Sequence, residues 1–94
     1  MVMKKIELSI CTLEGEVFCG KVRSVELPGA MGRFEVLIDH APVVSKLVKG
    51  VVSYREDMNK EKVGVCIEGG VVEVEKNEVK VLARMATDGM AKEG

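Results

Sequence analysis

Apolar and polar residues alternate along most of this chain, in short bursts separated by breaks rich in glycine and charge. Ile6, Leu8 and Ile10 alternate with Glu7 and Ser9, the pattern of a strand with one wet face. Leu13-Glu14-Gly15-Glu16 reads as a turn. A second strand is predicted from Val17 through Leu27, with an apolar phase that slips between Val22 and Val25. A bulge or strong bend near Arg23-Ser24 accounts for the slip. Pro28-Gly29 is predicted as a tight turn, since proline fixes φ and glycine accepts positive φ. Gly32 then releases the chain into a run that puts Phe34, Val36 and Ile38 on one face. Asp39-His40-Ala41-Pro42 stops the run, because Pro42 has no amide hydrogen and biases Ala41 towards an extended backbone.

The same texture continues. Val43 to Leu47 is a short extended piece ending at Lys49-Gly50. Val51 to Arg55 and Lys62 to Ile67 pair as a hairpin around a charged loop, residues 56–61, whose tip is expected to be mobile. Gly69-Gly70 is predicted as a further turn before Val71 to Glu75, and Lys76-Asn77-Glu78 reverses the chain into Val79 to Ala83. Many short strands at this spacing, joined by glycine-bearing turns, indicate an all-β antiparallel sandwich or small barrel. Residues 1–86 form the expected domain, and residues 87–94, which lack periodicity, are expected to be a flexible tail.

Composition narrows the picture. Ninety-four residues allow one modest core, and an aromatic content of 3% means that valine, leucine and isoleucine must build it. Valine is the commonest residue, and its branched side chain favours strands. No apolar run approaches the roughly 20 residues that span a bilayer, and no signal-peptide core follows the N-terminal lysines. A net charge of −1 with no basic block argues against nucleic-acid binding.

Candidate chemistry is sparse. Cys11, Cys19 and Cys66 are odd in number and contain no C-x-x-C pair, which argues against a disulfide framework or a zinc site. They are expected to be small buried residues in a reducing compartment. His40 is the only histidine; beside Asp39 alone it offers too few ligands for a closed metal site and no recognisable nucleophile arrangement. No phosphate-cradling G-x-x-x-x-G-K-[ST] sequence is present, so Gly69-Gly70 is read as a turn and not as a cradle. No catalytic residue, metal or cofactor is expected.

The segment LPGAMGRFEVLIDHAPVVSKL, from Leu27 to Leu47, combines a glycine-rich turn, a strand and a His-Ala-Pro corner. In this it resembles the ε subunit family of bacterial ATP synthases, whose mitochondrial counterpart is called δ. Thr12, Gly15, Phe18 and Gly20 fit the family's first hairpin. Gly50-Val51-Val52, the run from Ile67 to Val74, and the run from Asn77 to Ala83 follow in the family's order. The resemblance covers residues 5–86 and implies a small flattened sandwich of two mostly antiparallel sheets.

It also implies a non-catalytic rotor subunit of the F1 sector, peripheral at the cytoplasmic face of the bacterial plasma membrane. Its partners would be the γ subunit and the c-ring, with the α/β head in the assembled enzyme. Met31, Gly32, Arg33, His40, Ala41 and Pro42 would face the c-ring, while Thr12, Gly69 and Gly70 would lie near γ. Three positions depart from the family pattern: Arg33 replaces a frequent carboxylate, Glu35 a usual glycine and Ile38 a common proline. Many relatives carry a C-terminal helical pair that can block rotation or bind ATP. The short remainder after Ala83 is expected to form no such latch, and no nucleotide binding is expected. The alternative left open by the residues alone is a free-standing β-sandwich binding or regulatory module.

Overall fold

The computed structural model describes residues 4–85, all of them in strands, turns or loops. Eight strands follow in order: β1 (Ile6–Thr12), β2 (Gly15–Val22), β3 (Ser24–Gly29), β4 (Gly32–Val36), β5 (Val43–Leu47), β6 (Gly50–Arg55), β7 (Val63–Glu75) and β8 (Glu78–Met85). They form two layers. One runs β2-β1-β8-β7-β5, and the other carries β4, β3 and β6 with the first half of β7. All pairings are antiparallel except that of β1 with β8. The chain is an all-β sandwich, as expected, although its two layers are one continuous hydrogen-bonded ladder because β7 belongs to both.

Period-two alternation decides which side chains go inside. Ile6, Leu8 and Ile10 of β1 meet Val79, Val81 and Ala83 of β8 and Val72 and Val74 of β7. Val25 and Leu27 of β3, Val36 of β4, and Val52 and Tyr54 of β6 supply the opposing wall. Each buried valine, leucine or isoleucine among them contributes about 1.5–3 kcal/mol on burial. Phe18 of β2 closes one side by packing on Tyr54, with ring centroids 4.2 Å apart. Burial is the main cause that pushes the Tyr54 phenol above its ordinary pKa, with Glu56 adding to it.

Several local expectations need correction. The segment from Val17 to Leu27 is two strands and not one, and of the bulge or bend expected near Arg23-Ser24 it is a bend, at Arg23, that separates them: β2 pairs with β1 in one layer, β3 with β4 and β6 in the other. The apolar phase slips there because the chain changes layers. Pro28-Gly29 is not a turn but the end of β3, where Pro28 is buried and its carbonyl accepts the Val48 amide at 2.9 Å. The reversal falls on Ala30-Met31 and is completed by Gly32 at φ 130°. The first hairpin is built alike, with Leu13-Glu14 at the turn and Gly15 at φ 136°. Ile38 does not extend the face of Phe34 and Val36, since β4 stops at Val36 and Ile38 is 37% exposed.

Gly69-Gly70 is not a turn either. The β7 strand runs through it for 13 residues, with a register shift against β8 between Ile67 and Gly69. The two glycines, at φ 157° and 156°, bend β7 from its pairing with β6 to its pairing with β5, as corner strands do in folded-over sheets. A Cβ on Gly70 would lie 2.3 Å from the Leu82 carbonyl oxygen, so side-chain volume as well as φ requires glycine.

The cysteines are also not buried as expected. Cys19 and Cys66 are exposed and Cys11 is half-buried, all three as free thiols. Strand parity is the reason: Cys19 stands opposite Ser9 and Cys66 opposite Val51, on outward positions. The loop over residues 56–61 closes on itself, with the Arg55 guanidinium donating to the Lys60 carbonyl at 2.6 Å and the Met58 amide to Asp57 at 2.7 Å. The tail expected over residues 87–94, together with Ala86, lies outside the described residues.

Candidate functional site

The β3–β4 hairpin projects Met31 into solvent at 99% exposure, the most exposed apolar side chain among the described residues. Arg33, two residues on, turns away from the tip. Its guanidinium lies along the outer face of β3 and β6, donating to the Val51 carbonyl at 2.7 Å and the Ser53 hydroxyl at 3.4 Å. It also pairs with Glu26 at 3.5 Å, and Glu26 accepts a 2.7 Å bond from Lys62. The Lys62 hydrogen bond is the main cause that holds the Glu26 carboxyl below its ordinary pKa, and the charges of Lys62 and Arg33 act in the same direction. Arg33 thus braces the hairpin onto its own sheet.

His40, Ala41 and Pro42 lie beyond the other end of β4, which rises about 13 Å from Gly32 to Val36. This segment carries the chain from one layer to the other and is fixed by a reciprocal clamp. The Asp39 amide donates to Asn77 Oδ1 at 2.6 Å, and Asn77 Nδ2 donates to Asp39 Oδ1 at 3.1 Å. Both residues sit at φ 62°, a left-handed conformation that short polar side chains tolerate. His40 Nδ1 donates to the Ala41 carbonyl at 2.6 Å, and the ring leans towards Phe34, centroid to centroid 6.5 Å. The corner is half wrapped up in its own hydrogen bonds. Among the described residues no cluster of histidine, cysteine, aspartate or glutamate is placed to hold a metal.

Thr12 and Gly69-Gly70 turn out to be builders of local geometry. The Thr12 hydroxyl accepts the Glu14 amide at 3.1 Å and donates to the Gly15 carbonyl at 3.3 Å, closing the β1–β2 turn. Arg84 arches over Gly69 and donates to the Glu68 carbonyl at 3.3 Å.

The surface that does stand out was not singled out in the sequence. Cys11, Leu82 and Val71 are direct cross-strand neighbours on β1, β8 and β7, and Val44 of β5 lies diagonally beside Val71. Leu82 is 50% and Val44 71% exposed, and together they line a shallow groove of about 490 Å³ on the outer face of the first layer. A signal for it existed. Val43-Val44, Val71-Val72, Val81-Leu82 and Ile10-Cys11 are apolar doublets. In a strand with one buried face, one member of each such doublet must point outward: Val44, Leu82 and Cys11 are the second members and Val71 the first. The register then aligns the outward members in one stripe.

The structure defines an all-β sandwich domain with an uncovered apolar stripe on the outer face of one layer and a bonded charged cluster on the other. The comparisons give the family. Residues 5–89 match the family described as the ATP synthase Delta/Epsilon chain, beta-sandwich domain, and this chain belongs to that family. It is 41% identical over 81 residues to an ATP synthase epsilon chain of Campylobacter curvus, covering 86% of this chain and 62% of the relative. It is 40% identical over 81 residues to one of Helicobacter pylori, covering 86% and 64%. The chain therefore spans a little under two thirds of the length of these relatives. Among solved structures, a chain of the Euglena gracilis mitochondrial ATP synthase superposes with a TM-score of 0.79 at 19% identity, covering 98% of this chain and 62% of that one. A chain from the central stalk and c-ring of the Tetrahymena thermophila mitochondrial enzyme gives 0.71 at 14% identity, covering 86% and 64%. These two likenesses concern the fold.

Proposed function

We propose that this chain is a rotor component of a rotary ATP synthase, fastening a γ-type shaft to the membrane ring of c subunits. Rotation of the ring, driven by ion flow, is then transmitted to the α/β head without slipping at this joint. The chain supplies no catalytic group. What supports the reading is the aligned stripe of Cys11, Leu82, Val71 and Val44 on a domain whose relatives are ATP synthase epsilon chains. Outward apolar side chains in a row offer area to be buried by a partner, and a close-packed sandwich resists deformation under torque.

In this reading the stripe meets γ, with Thr12 and Gly69-Gly70 shaping the strands that carry it. Met31 and Gly32 at the hairpin tip meet the c-ring. Arg33 holds that tip in place, and the His40-Ala41-Pro42 corner fixes the crossing between layers at the other end of β4. The site of action is the cytoplasmic face of the bacterial plasma membrane, reached through the complex.

Affinity capture of a tagged chain from its own cells, after gentle solubilisation, tests the proposal. Co-recovery of γ and c subunits in stable proportion supports it, and Leu82→Glu should abolish that co-recovery while leaving the chain folded. Recovery of the chain alone, under conditions that keep the ATP synthase intact, overturns it.

A further inference from the structure

The outer face that carries the apolar stripe also carries charge, and the sign of that charge changes from one end of the strands to the other. Strand register sorts the side chains into rows that run across the sheet. Lys21, Glu7, Glu78 and Glu75 share the first row. Lys80, Glu73 and Val44 follow in the second, and Glu16, Cys11, Leu82, Val71 and Lys46 in the third. Arg84, which stands two residues past Leu82 and opposite Gly69, closes the far end. On β7, β8 and β5 the first end is therefore acidic and the far end basic. On β2, at the margin, the order is reversed, with Lys21 at the first end and Glu16 towards the other.

The fold leaves most of these charges unanswered. The side chains of Glu16, Lys21, Lys46, Glu73 and Glu75 are exposed and make no hydrogen bond or ion pair with another described residue. The Arg84 guanidinium donates only to a neutral carbonyl, that of Glu68, at 3.3 Å. Two pairs on or beside the face, Lys80 with Glu78 at 3.9 Å and Lys49 with Glu68 at 4.0 Å, are already balanced and add no net charge. Between the two ends lie Leu82, Val71 and Val44, which are 50%, 40% and 71% exposed.

We infer that this face docks against a second copy of the chain, around a two-fold axis that lies in the interface and runs along the rows. Such an axis reverses the strand direction of the second copy while keeping each strand over its own counterpart. Acidic ends then meet basic ends. Glu73 and Glu75 of one copy come to Lys46 and Arg84 of the other, and Lys21 comes to Glu16. Each contact occurs twice, as a self-complementary interface requires. The apolar side chains of both copies gather along the axis, covered by the methylene stems of the lysines. Charge selects this occupant, because a partner surface of one sign would match one end of the face and be repelled by the other. The second copy covers the surface that the rotor reading gives to γ, so the two exclude each other. The dimer is a property of the isolated chain and does not rest on that reading.

The test is sedimentation velocity of the full chain, with a thiol reductant present because all three cysteines are free. The expected result is a mass that rises from one chain to two between micromolar and millimolar concentration, with weaker association as salt is raised. Glu73→Lys and Lys46→Glu should each weaken association by roughly tenfold at an unchanged thermal melt. Mixing these two variants in equal amounts should restore it, because each supplies the charge that the other lacks at both symmetric contacts. Leu82→Glu should leave single chains. A parent chain that stays single at millimolar concentration overturns the inference and leaves the stripe to a different partner. A mixture that associates no better than its components overturns it as well. So does a dimer untouched by Leu82→Glu, which would move the contact to another surface, such as the free edge of β2.

Discussion

The two outer faces of the sandwich differ sharply although the inner faces are alike. Both layers bury valine, leucine and isoleucine at alternate positions. Outside, the first layer presents the row Cys11, Leu82, Val71 and Val44, while the second presents Glu26, Arg33, Ser53 and Lys62 bonded to one another. The charged face satisfies much of itself. The apolar stripe, flanked by Ser9, Lys80 and Glu73, leaves its surplus open. Apolar side chains left uncovered by the fold offer area that a partner can bury, and the satisfied polar ones maintain the frame.

The comparison depends on β7, which belongs to both layers, and the largest expected effect comes from breaking that link. Gly70→Ala forces a side chain at φ 156° and against the Leu82 carbonyl. It should cost on the order of 3 kcal/mol, measured by chemical denaturation, and should destabilise both layers together. An unchanged midpoint would mean that the corner can be rebuilt without glycine, and the two faces could then be treated as independent.

Next in size is a direct contrast between the faces. If the proposed contact with γ is made by the stripe, Val71→Ser with Leu82→Ser should weaken it by about 1–3 kcal/mol in a titration while the thermal melt stays nearly fixed. Arg33→Gln on the other face should leave that titration unchanged. If Arg33→Gln weakened γ binding as much as the stripe variant, the assignment of roles to the two faces would be wrong.

A smaller effect is expected at the clamp that joins the far ends of the layers. A double-mutant cycle on Asp39→Ala and Asn77→Ala should return a coupling of about 1 kcal/mol. A coupling near zero would remove the clamp from the account of how the His40 corner is held.

The smallest effect belongs to the charged face and carries a sign. The Glu26 pKa is lowered from 4.5 in the folded chain, so its stabilising contribution is fully present above that value. It is lost as the pH falls through the folded pKa. The stability difference between the parent and Glu26→Gln should therefore be under about 1 kcal/mol near neutrality and vanish in acid. A difference that grew on acidification would contradict the pairing with Lys62 and Arg33.

Much of the fold was legible in the sequence because alternation is local. β1, β5, β6 and β8 lie where the apolar period put them, and the Lys76-Asn77 reversal is where two left-handed φ values, 52° and 62°, occur. Errors gathered where a residue's local meaning is ambiguous. Glycine pairs serve turns and corners equally well, so Gly69-Gly70 was read as a reversal when it is a bend within one strand. Pro28 suggested a turn, but a proline that ends a strand while its carbonyl takes a bond from Val48 serves as well. The phase slip at Arg23-Ser24 was visible, yet a bulge and a change of layer produce the same slip.

By itself, the sequence determined an all-β domain, its apolar interior and the membership of a family, since these follow from residue order and side-chain type alone. Only the tertiary structure decided that Arg33 points back onto its own sheet, that Met31 and His40 stand at opposite ends of β4, and that four apolar doublets from separate strands form one stripe. Each of these depends on pairing register between residues far apart in the chain, and register is set by the burial of both layers at once, which no local stretch of sequence contains.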